Sequence, residues 1–364
     1  MPIFSSKNNL IIDLGTGYIK ALSFYKNGTG NVTTGYARAL INQDTLFKSN
    51  YFSPDAIKEG FDLILKGLNK KAFSDFSKTY FILSPEYIKE TIISVKIKRN
   101  HPEQKISQSE LEQIKKKASK LAQDIILEKK EFDEIQFLKF SIFSFKIDGY
   151  QIPKILGYTG QEIELTMFCV FSINNYYKKA KNFIESQKLT NYQIIWQGEY
   201  VLKIATDFNN KSFALIDAGD RLTRIYLCNN GYITKITEIP FGGNKITKDI
   251  SSHLNIKPLE AQAIKEKFFL TQLSQELKGE IGSVLSQLEK LFLIELEHNA
   301  DFNVKTIDNI AVFGGTSIFA KNALANYGVA DKIYKIEFKN ISIQKEILAD
   351  GQYHNTLLIC NYEN

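Results

Sequence analysis

The chain has 364 residues, of which 44% are hydrophobic, 24% charged and 12% aromatic. That is long enough for more than one buried core and far from the aromatic-poor composition of a disordered chain. The formal charge of +6 rests on 46 lysines and arginines, and only Arg38, Arg99, Arg221 and Arg224 are arginines. So diffuse a lysine excess argues for solubility over a nucleic-acid-binding stripe. Cys169, Cys228 and Cys360 form no Cys-x-x-Cys pair and lie far apart in sequence. The spacing argues against a disulfide framework or a zinc site and predicts a reducing, cytoplasmic setting. The polar first nine residues, and the lack of any apolar run of the ~18 to 20 residues that a membrane span needs, predict neither export nor spanning.

Residues 9–24 read as strand, glycine turn and strand, and Asn27-Gly28 turns the chain into a further strand over 32–40. Residues 53–69 carry Ile57, Phe61, Ile64, Leu65 and Leu68 near helical spacing behind a Ser53-Pro54 start, and 81–84 returns to strand character. Residues 105–131 predict an amphipathic helix capped at Ser107, with Glu110 completing a capping box and the Lys115-Lys116-Lys117 run facing water. Strands are expected over 135–147 and 162–172, separated by turns at Pro153, Gly157 and Gly160, with a helix over 176–187. Trp196 is expected in the core between the two halves of the chain. After Ala214-Leu215-Ile216 the opening pattern recurs, with a second strand over 223–229 and a turn at Asn229-Asn230-Gly231. A helical region over 259–298, a short strand over 310–313 and a helix over 316–327 follow, and 357–364 reads as strand-like.

Four strand-to-glycine junctions carry candidate chemistry. Asp13-Leu14-Gly15-Thr16-Gly17 turns one strand into another. Glycine lets backbone amides approach a phosphate, Thr16 offers a hydroxyl, and an aspartate at a strand end can hold Mg²⁺ through water. A tight hairpin would use the same residues with no ligand at all. Asp217-Ala218-Gly219-Asp220-Arg221-Leu222-Thr223 repeats the arrangement, and two such hairpins facing each other would grip a polyphosphate from both sides. Gly242-Gly243 opens a helix whose free amides favour anions, and Gly314-Gly315-Thr316 is another strand-to-helix junction. His101, His253, His298 and His354 are scattered, without serine or carboxylate partners at catalytic spacing.

The order of these junctions resembles the actin-like ATPase superfamily, and within it the bacterial FtsA/PilM branch, over nearly the whole chain. Further FtsA-like stretches are Phe81-Ile82-Leu83-Ser84, the helix start at Ile106-Ser107, Ile147-Asp148-Gly149-Tyr150, and Ile246-Thr247-Lys248-Asp249-Ile250. The resemblance implies an α/β, two-lobed, ribonuclease H-like fold with a small α+β insertion of SHS2 type in the first lobe. The implied parts are 1–83 and 174–207 for the first lobe around an insert at 84–173, and 208–250 and 307–349 for the second lobe around a reduced helical subdomain at 251–306. Residues 350–364 would return to the first lobe. It also implies ATP with Mg²⁺ in the interlobe cleft. Asp13, Gly15, Thr16 and Gly17 would cradle phosphates, with Asp217, Gly219, Arg221 and Thr223 opposite. Gly242 and Gly243 would close over the terminal phosphate, Gln262 would reach the ribose, Lys265 would lie near the adenosine, and Gly314, Gly315 and Thr316 would pack under adenine. Asp13 and Asp217 would hold Mg²⁺ through water.

The second loop departs from the FtsA pattern Asp-x-Gly-Gly-Gly-Thr-Thr-Asp at Asp220, Arg221, Leu222 and Arg224. Either an arginine there neutralises phosphate charge, or the loop has lost nucleotide and an arginine pairs with Asp220. The function implied is a cell-division scaffold that self-assembles into filaments and recruits an FtsZ-like protein or a membrane-anchored division protein at the inner membrane face. At most it would be a slow ATPase, and no membrane anchor of its own is evident. The alternatives are a PilM-like adaptor of type IV pilus assembly that clasps a PilN-like cytoplasmic tail, and a degenerate nucleotide-free scaffold. A sugar or acetate kinase would need an acidic base beside an acceptor pocket, for which the sequence offers no clear residue.

Overall fold

The computed structural model describes residues 8–28, 30–41, 52–129, 134–189, 191–206, 211–300, 303–335, 341–343 and 353–362. The chain forms two compact units, one of Met1–Glu86, Asn182–Ile233 and Thr237–Asn364, the other of Tyr87–Lys181 with Thr234–Ile236. The expected boundaries at 207–208 and 349–350, and the last two residues of the helix expected over 105–131, lie outside the described residues.

In the larger unit, β1 (Asn9–Leu14), β2 (Tyr18–Asn27) and β3 (Gly30–Leu40) form an antiparallel meander. Strands β4 (Thr79–Leu83) and β9 (Tyr192–Ile195) continue the sheet in parallel beyond β1, and β14 (Ile341–Ser342) joins β3 in parallel. Leu10, Ile11, Ile12 and Leu14 are all 0% exposed, as a central strand covered on both faces requires. Helix α1 (Pro54–Gly67) starts where Ser53 accepts the Ala56 N–H at 3.3 Å and buries Ile57, Phe61 and Ile64. It reaches the sheet closely because Gly60 and Gly67 lack side chains. A β-carbon there would lie 2.5 Å from Ile19 Cδ1 and 2.9 Å from Ala37 Cβ.

The second sheet of this unit has the order β12-β11-β10-β13, from β10 (Ser212–Ala218), β11 (Thr223–Asn229), β12 (Tyr232–Ile239) and β13 (Asn309–Phe313). It repeats the first in register. Asp13 lies opposite Lys20 in the β1–β2 hairpin and Asp217 opposite Arg224 in the β10–β11 hairpin, and each first strand has a parallel neighbour, β4 or β13. Helices α5 (Gly243–Leu254), α6 (Pro258–Phe269), α7 (Gln275–Ala300) and α8 (Ser317–Leu324) bury Ile246, Ile250, Leu285, Phe292 and Phe319 against it.

The smaller unit is a sheet of order β5-β8-β6-β7, formed by β5 (Ile88–Lys98), β6 (Ile135–Ile147), β7 (Tyr150–Ile152) and β8 (Glu162–Ile173). Helix α2 (Gln108–Glu128) buries Leu111, Ile114 and Ala118. Ser107 caps it by accepting the Glu110 N–H, while the Glu110 carboxylate takes two hydrogen bonds from Arg99. Helix α3 (Tyr176–Ser186) carries the chain back toward β9.

Several expectations need correction. The C-terminal segment expected as strand is helix α9 (His354–Tyr362), with Leu357, Leu358, Ile359 and Cys360 at most 2% exposed. A short apolar run has no period that separates a buried strand from a helix buried all round. The region over 259–298 is two helices, because Thr271 takes φ +59° and the Gln272 N–H turns back to the Lys267 carbonyl. Trp196 is half-buried at the end of β9 and is not core. Strands β5, β7, β9, β12 and β14, and helix α4 (Gln197–Thr206), were not anticipated.

Candidate functional site

The two aspartate-led hairpins face one cavity of about 380 Å³ within the larger unit, inside the range typical of small-ligand sites. Of the residues singled out for a nucleotide, Asp13, Gly15, Thr16, Gly17, Asp217, Gly219, Gln262, Lys265, Gly314, Gly315 and Thr316 line it. Arg221, Thr223, Gly242 and Gly243 do not. Thr223 instead donates its hydroxyl to the Phe241 carbonyl at 2.7 Å.

On the first hairpin, Asp13 is the last residue but one of β1 and its Oδ2 lies 3.4 Å from Lys20 Nζ, both residues being buried. The Thr16 hydroxyl donates to Glu86 Oε1 at 3.2 Å, and Ser84 donates to the other oxygen of that carboxylate. Lys20 and Glu86 were not foreseen. The signal for Lys20 was present: a basic residue follows the leading aspartate seven positions later in both hairpins, at Lys20 and Arg224.

On the second hairpin, Asp217 Oδ2 accepts from Gln197 Nε2 at 2.7 Å, and the same amide donates to Asn355. Burial pushes the Asp217 carboxyl up to about 6 and the nearby Asp13 adds to the rise, whereas the Gln197 hydrogen bond, Lys20 and Arg224 oppose it. Arg224, 1% exposed, donates to Glu238 on β12 at 2.7 and 3.0 Å. It therefore neither reaches the cavity nor pairs with Asp220.

The helix starts are stapled to this hairpin. The Gly243 and Asn244 N–H groups donate to the Gly219 and Asp220 carbonyls at 3.1 and 2.6 Å, so the opening turn of α5 is satisfied by the chain itself. Gly314 takes φ +97°, and a β-carbon there would lie 2.4 Å from the Ala218 carbonyl oxygen. Only glycine meets both demands. Thr316 then donates through its N–H to Ala218 and through its hydroxyl to Gly219.

Helix α6 supplies the third wall. Lys265 Nζ donates to the Gly243 carbonyl at 3.0 Å and to Thr247 Oγ1 at 2.9 Å, and burial lowers its pKa to about 8. Gln262 accepts from Thr247 at 2.7 Å and donates to Glu266 at 2.8 Å. Glu266 is also held by the Tyr18 hydroxyl and by Arg38 at 3.3 Å, with the Arg38 guanidinium 5.2 Å above the Tyr18 ring. Tyr18 and Arg38 belong to the first sheet and Glu266 to α6, so this cluster bridges the cavity mouth. The wall carries Asp13, Glu86, Asp217, Asp220 and Glu266 against Lys20, Arg38 and Lys265. Cations are welcome there, and anions meet both signs.

No family model matches the chain. It is 36% identical over 81 residues to the cell division protein FtsA of Bacillus subtilis, an alignment covering 22% of this chain and 18% of that protein. It is 32% identical over 84 residues to FtsA of Buchnera aphidicola, covering 23% of this chain and 20% of that one. The matches thus span about a fifth of those relatives. Over 98% of its length it superposes on 99% of a chain of the PilM–PilN type IV pilus biogenesis complex, with a TM-score of 0.70 and 13% identity. The fold is that of the superposed chain of that complex. The cavity lies between the two register-matched hairpins, beside α6. Among the described residues no helix is long and apolar enough to cross a membrane.

Proposed function

We propose that the chain is an actin-like scaffold of FtsA type in bacterial cell division. Its cleft would bind ATP with Mg²⁺, and the resulting closure would set the surfaces offered to further copies and to membrane-linked partners. The observation that supports this is the convergence of Asp13 and Asp217 from separate hairpins on one cavity. The donor set suits a hydrated divalent cation. Two strand-end carboxylates face each other closely enough that Asp13 helps to raise Asp217, and positive charge between them relieves that repulsion. Asp13 and Asp217 would hold the ion, which when bound supplies charge neutralisation for phosphates. Lys20 would meet phosphate oxygen, and Gln262 the ribose hydroxyls. The unit of residues 87–181 would be the inserted SHS2-like domain and a surface for self-association.

Calorimetry with Mg·ATP on the full chain and on Asp13→Ala tests the site. The expected outcome is heat from the first and at least tenfold weaker binding by the second. Equal heats from both would remove Asp13 from the site, and no heat from either would leave a nucleotide-free scaffold. A second reading, an adaptor of type IV pilus assembly, is favoured by the whole-chain superposition on PilM. Capture of an FtsZ C-terminal peptide supports division, and capture of a PilN-like cytoplasmic tail supports the pilus.

A further inference from the structure

Asp220 breaks the glycine run of the second hairpin, and its side chain stands where the two hairpins approach. A β-carbon on Gly17 would lie 2.6 Å from Asp220 Cγ, so the carboxylate rests against the glycine turn of the first hairpin. On its other side, a β-carbon on Gly243 would lie 3.6 Å from Asp220 Oδ1 and 3.2 Å from Lys265 Nζ. Asp220 Oδ2 is buried with no hydrogen-bond partner among the described residues. Burial raises the pKa of the group and Glu86 adds to the rise, against the nearby charges of Lys265, Arg221 and Lys20. The amides that would otherwise draw an anion to this place, those of Gly243 and Asn244, are already taken by backbone carbonyls.

We propose that the Asp220 carboxyl group is seated between the hairpins in the place of a phosphate group, and that it makes the cleft discriminate against nucleotides whose phosphate chain reaches that place. The inference rests on the nucleotide reading above: ATP would still bind, more weakly than in a cleft that lacks this carboxyl group. Two physical effects act together, because the carboxyl group fills the volume and its ionised form repels a second anion. A nucleoside monophosphate escapes both, and a triphosphate meets both.

The test is calorimetry of Mg·ATP and of AMP on the full chain, on Asp220→Gly, which empties the place, and on Asp220→Asn, which keeps the volume and removes the charge. ATP affinity should rise tenfold or more in Asp220→Gly and by a smaller factor in Asp220→Asn, while AMP affinity changes less than about twofold. Should Asp220→Gly fail to fold, Asp220→Asn carries the test through its rise for ATP alone. Equal, measurable ATP affinities in all folded proteins, or a parallel rise for AMP, would overturn the role of Asp220 and leave the nucleotide reading standing. Absence of binding by every protein would overturn both.

Discussion

Asp217→Asn should make the protein more stable, and increasingly so as the pH rises. The wild-type carboxyl is 5% exposed and is pushed up from 3.8 to about 6, chiefly by burial and then by Asp13, against the opposing Gln197 hydrogen bond, Lys20 and Arg224. A folded-state pKa above the unfolded one means that the native protein binds this proton more tightly. The associated stability is complete below about pH 3.8 and is lost as the pH rises through about 6. At about 1.4 kcal/mol per pKa unit the loss comes to about 3 kcal/mol, of which roughly half falls between pH 5 and 7.5. The amide variant keeps an acceptor for Gln197 Nε2 and cannot ionise. Urea denaturation of both proteins in metal-free buffer should therefore show their stability difference widening by about 1.5 kcal/mol from pH 5 to 7.5. A constant offset across that range would refute the account, since it would mean that Asp217 ionises alike in both states. Mg²⁺ with ATP, if bound through Asp217, should narrow the gap by stabilising the ionised wild-type form.

Arg224→Met should cost about 3 kcal/mol in denaturant titrations, because it strips a 1%-exposed guanidinium from Glu238 and leaves that carboxylate without its cation. Gly17→Ala should cost about 1–3 kcal/mol, since its β-carbon would fall 2.6 Å from Asp220 Cγ. In the Asp220→Gly background most of that cost should vanish, and additive effects in the double-mutant cycle would separate the two residues. Glu266→Ala removes the acceptor shared by Tyr18, Arg38 and Gln262. Amide hydrogen exchange should then speed up in both β2 and α6, and unchanged protection in either element would deny the bridge across the mouth.

Much of the larger unit was legible because its strands announce themselves twice. Asp13-Leu14-Gly15 and Asp217-Ala218-Gly219 each end a continuous apolar run, and in each a β-carbon at the glycine would meet a backbone carbonyl at 2.8 Å, that of Tyr18 or Leu222. Strand β5 was missed although Ile93, Val95 and Ile97 alternate, because Ser94 and Lys96 between them resemble solvated surface until one face is seen to be buried. Arg224 was legible as an arginine beside a phosphate loop but not as the partner of Glu238, because that pairing depends on which strand lies beside β11. The crowding of Asp220 against Gly17 was likewise beyond the sequence, since those residues come from different sheets. Satisfaction of the α5 amides by Gly219 and Asp220 also arises only after folding.

The two hairpins are alike in backbone and unlike in charge, and the difference begins at the basic residue seven positions after each aspartate. Lys20 lines the cavity 3.4 Å from Asp13, so the first hairpin brings its own cation to the cleft. Arg224 turns instead to Glu238, and the neighbour left for Asp217 at 2.7 Å is the neutral amide of Gln197. A buried carboxylate hydrogen-bonded to an amide, with a second aspartate nearby, is a place where positive charge is short, and its raised pKa is the physical expression of that shortage. An entering cation would thus gain more at Asp217, whose hydrogen-bond partner at 2.7 Å is a neutral amide, than at Asp13, which Lys20 approaches to 3.4 Å. An entering anion would gain at Lys20 and lose at Asp220. The repeat therefore builds a cleft with a directed polarity, set by the lysine-to-arginine difference between its copies, by Glu238 on the neighbouring strand and by Asp220 where the first hairpin has Thr16.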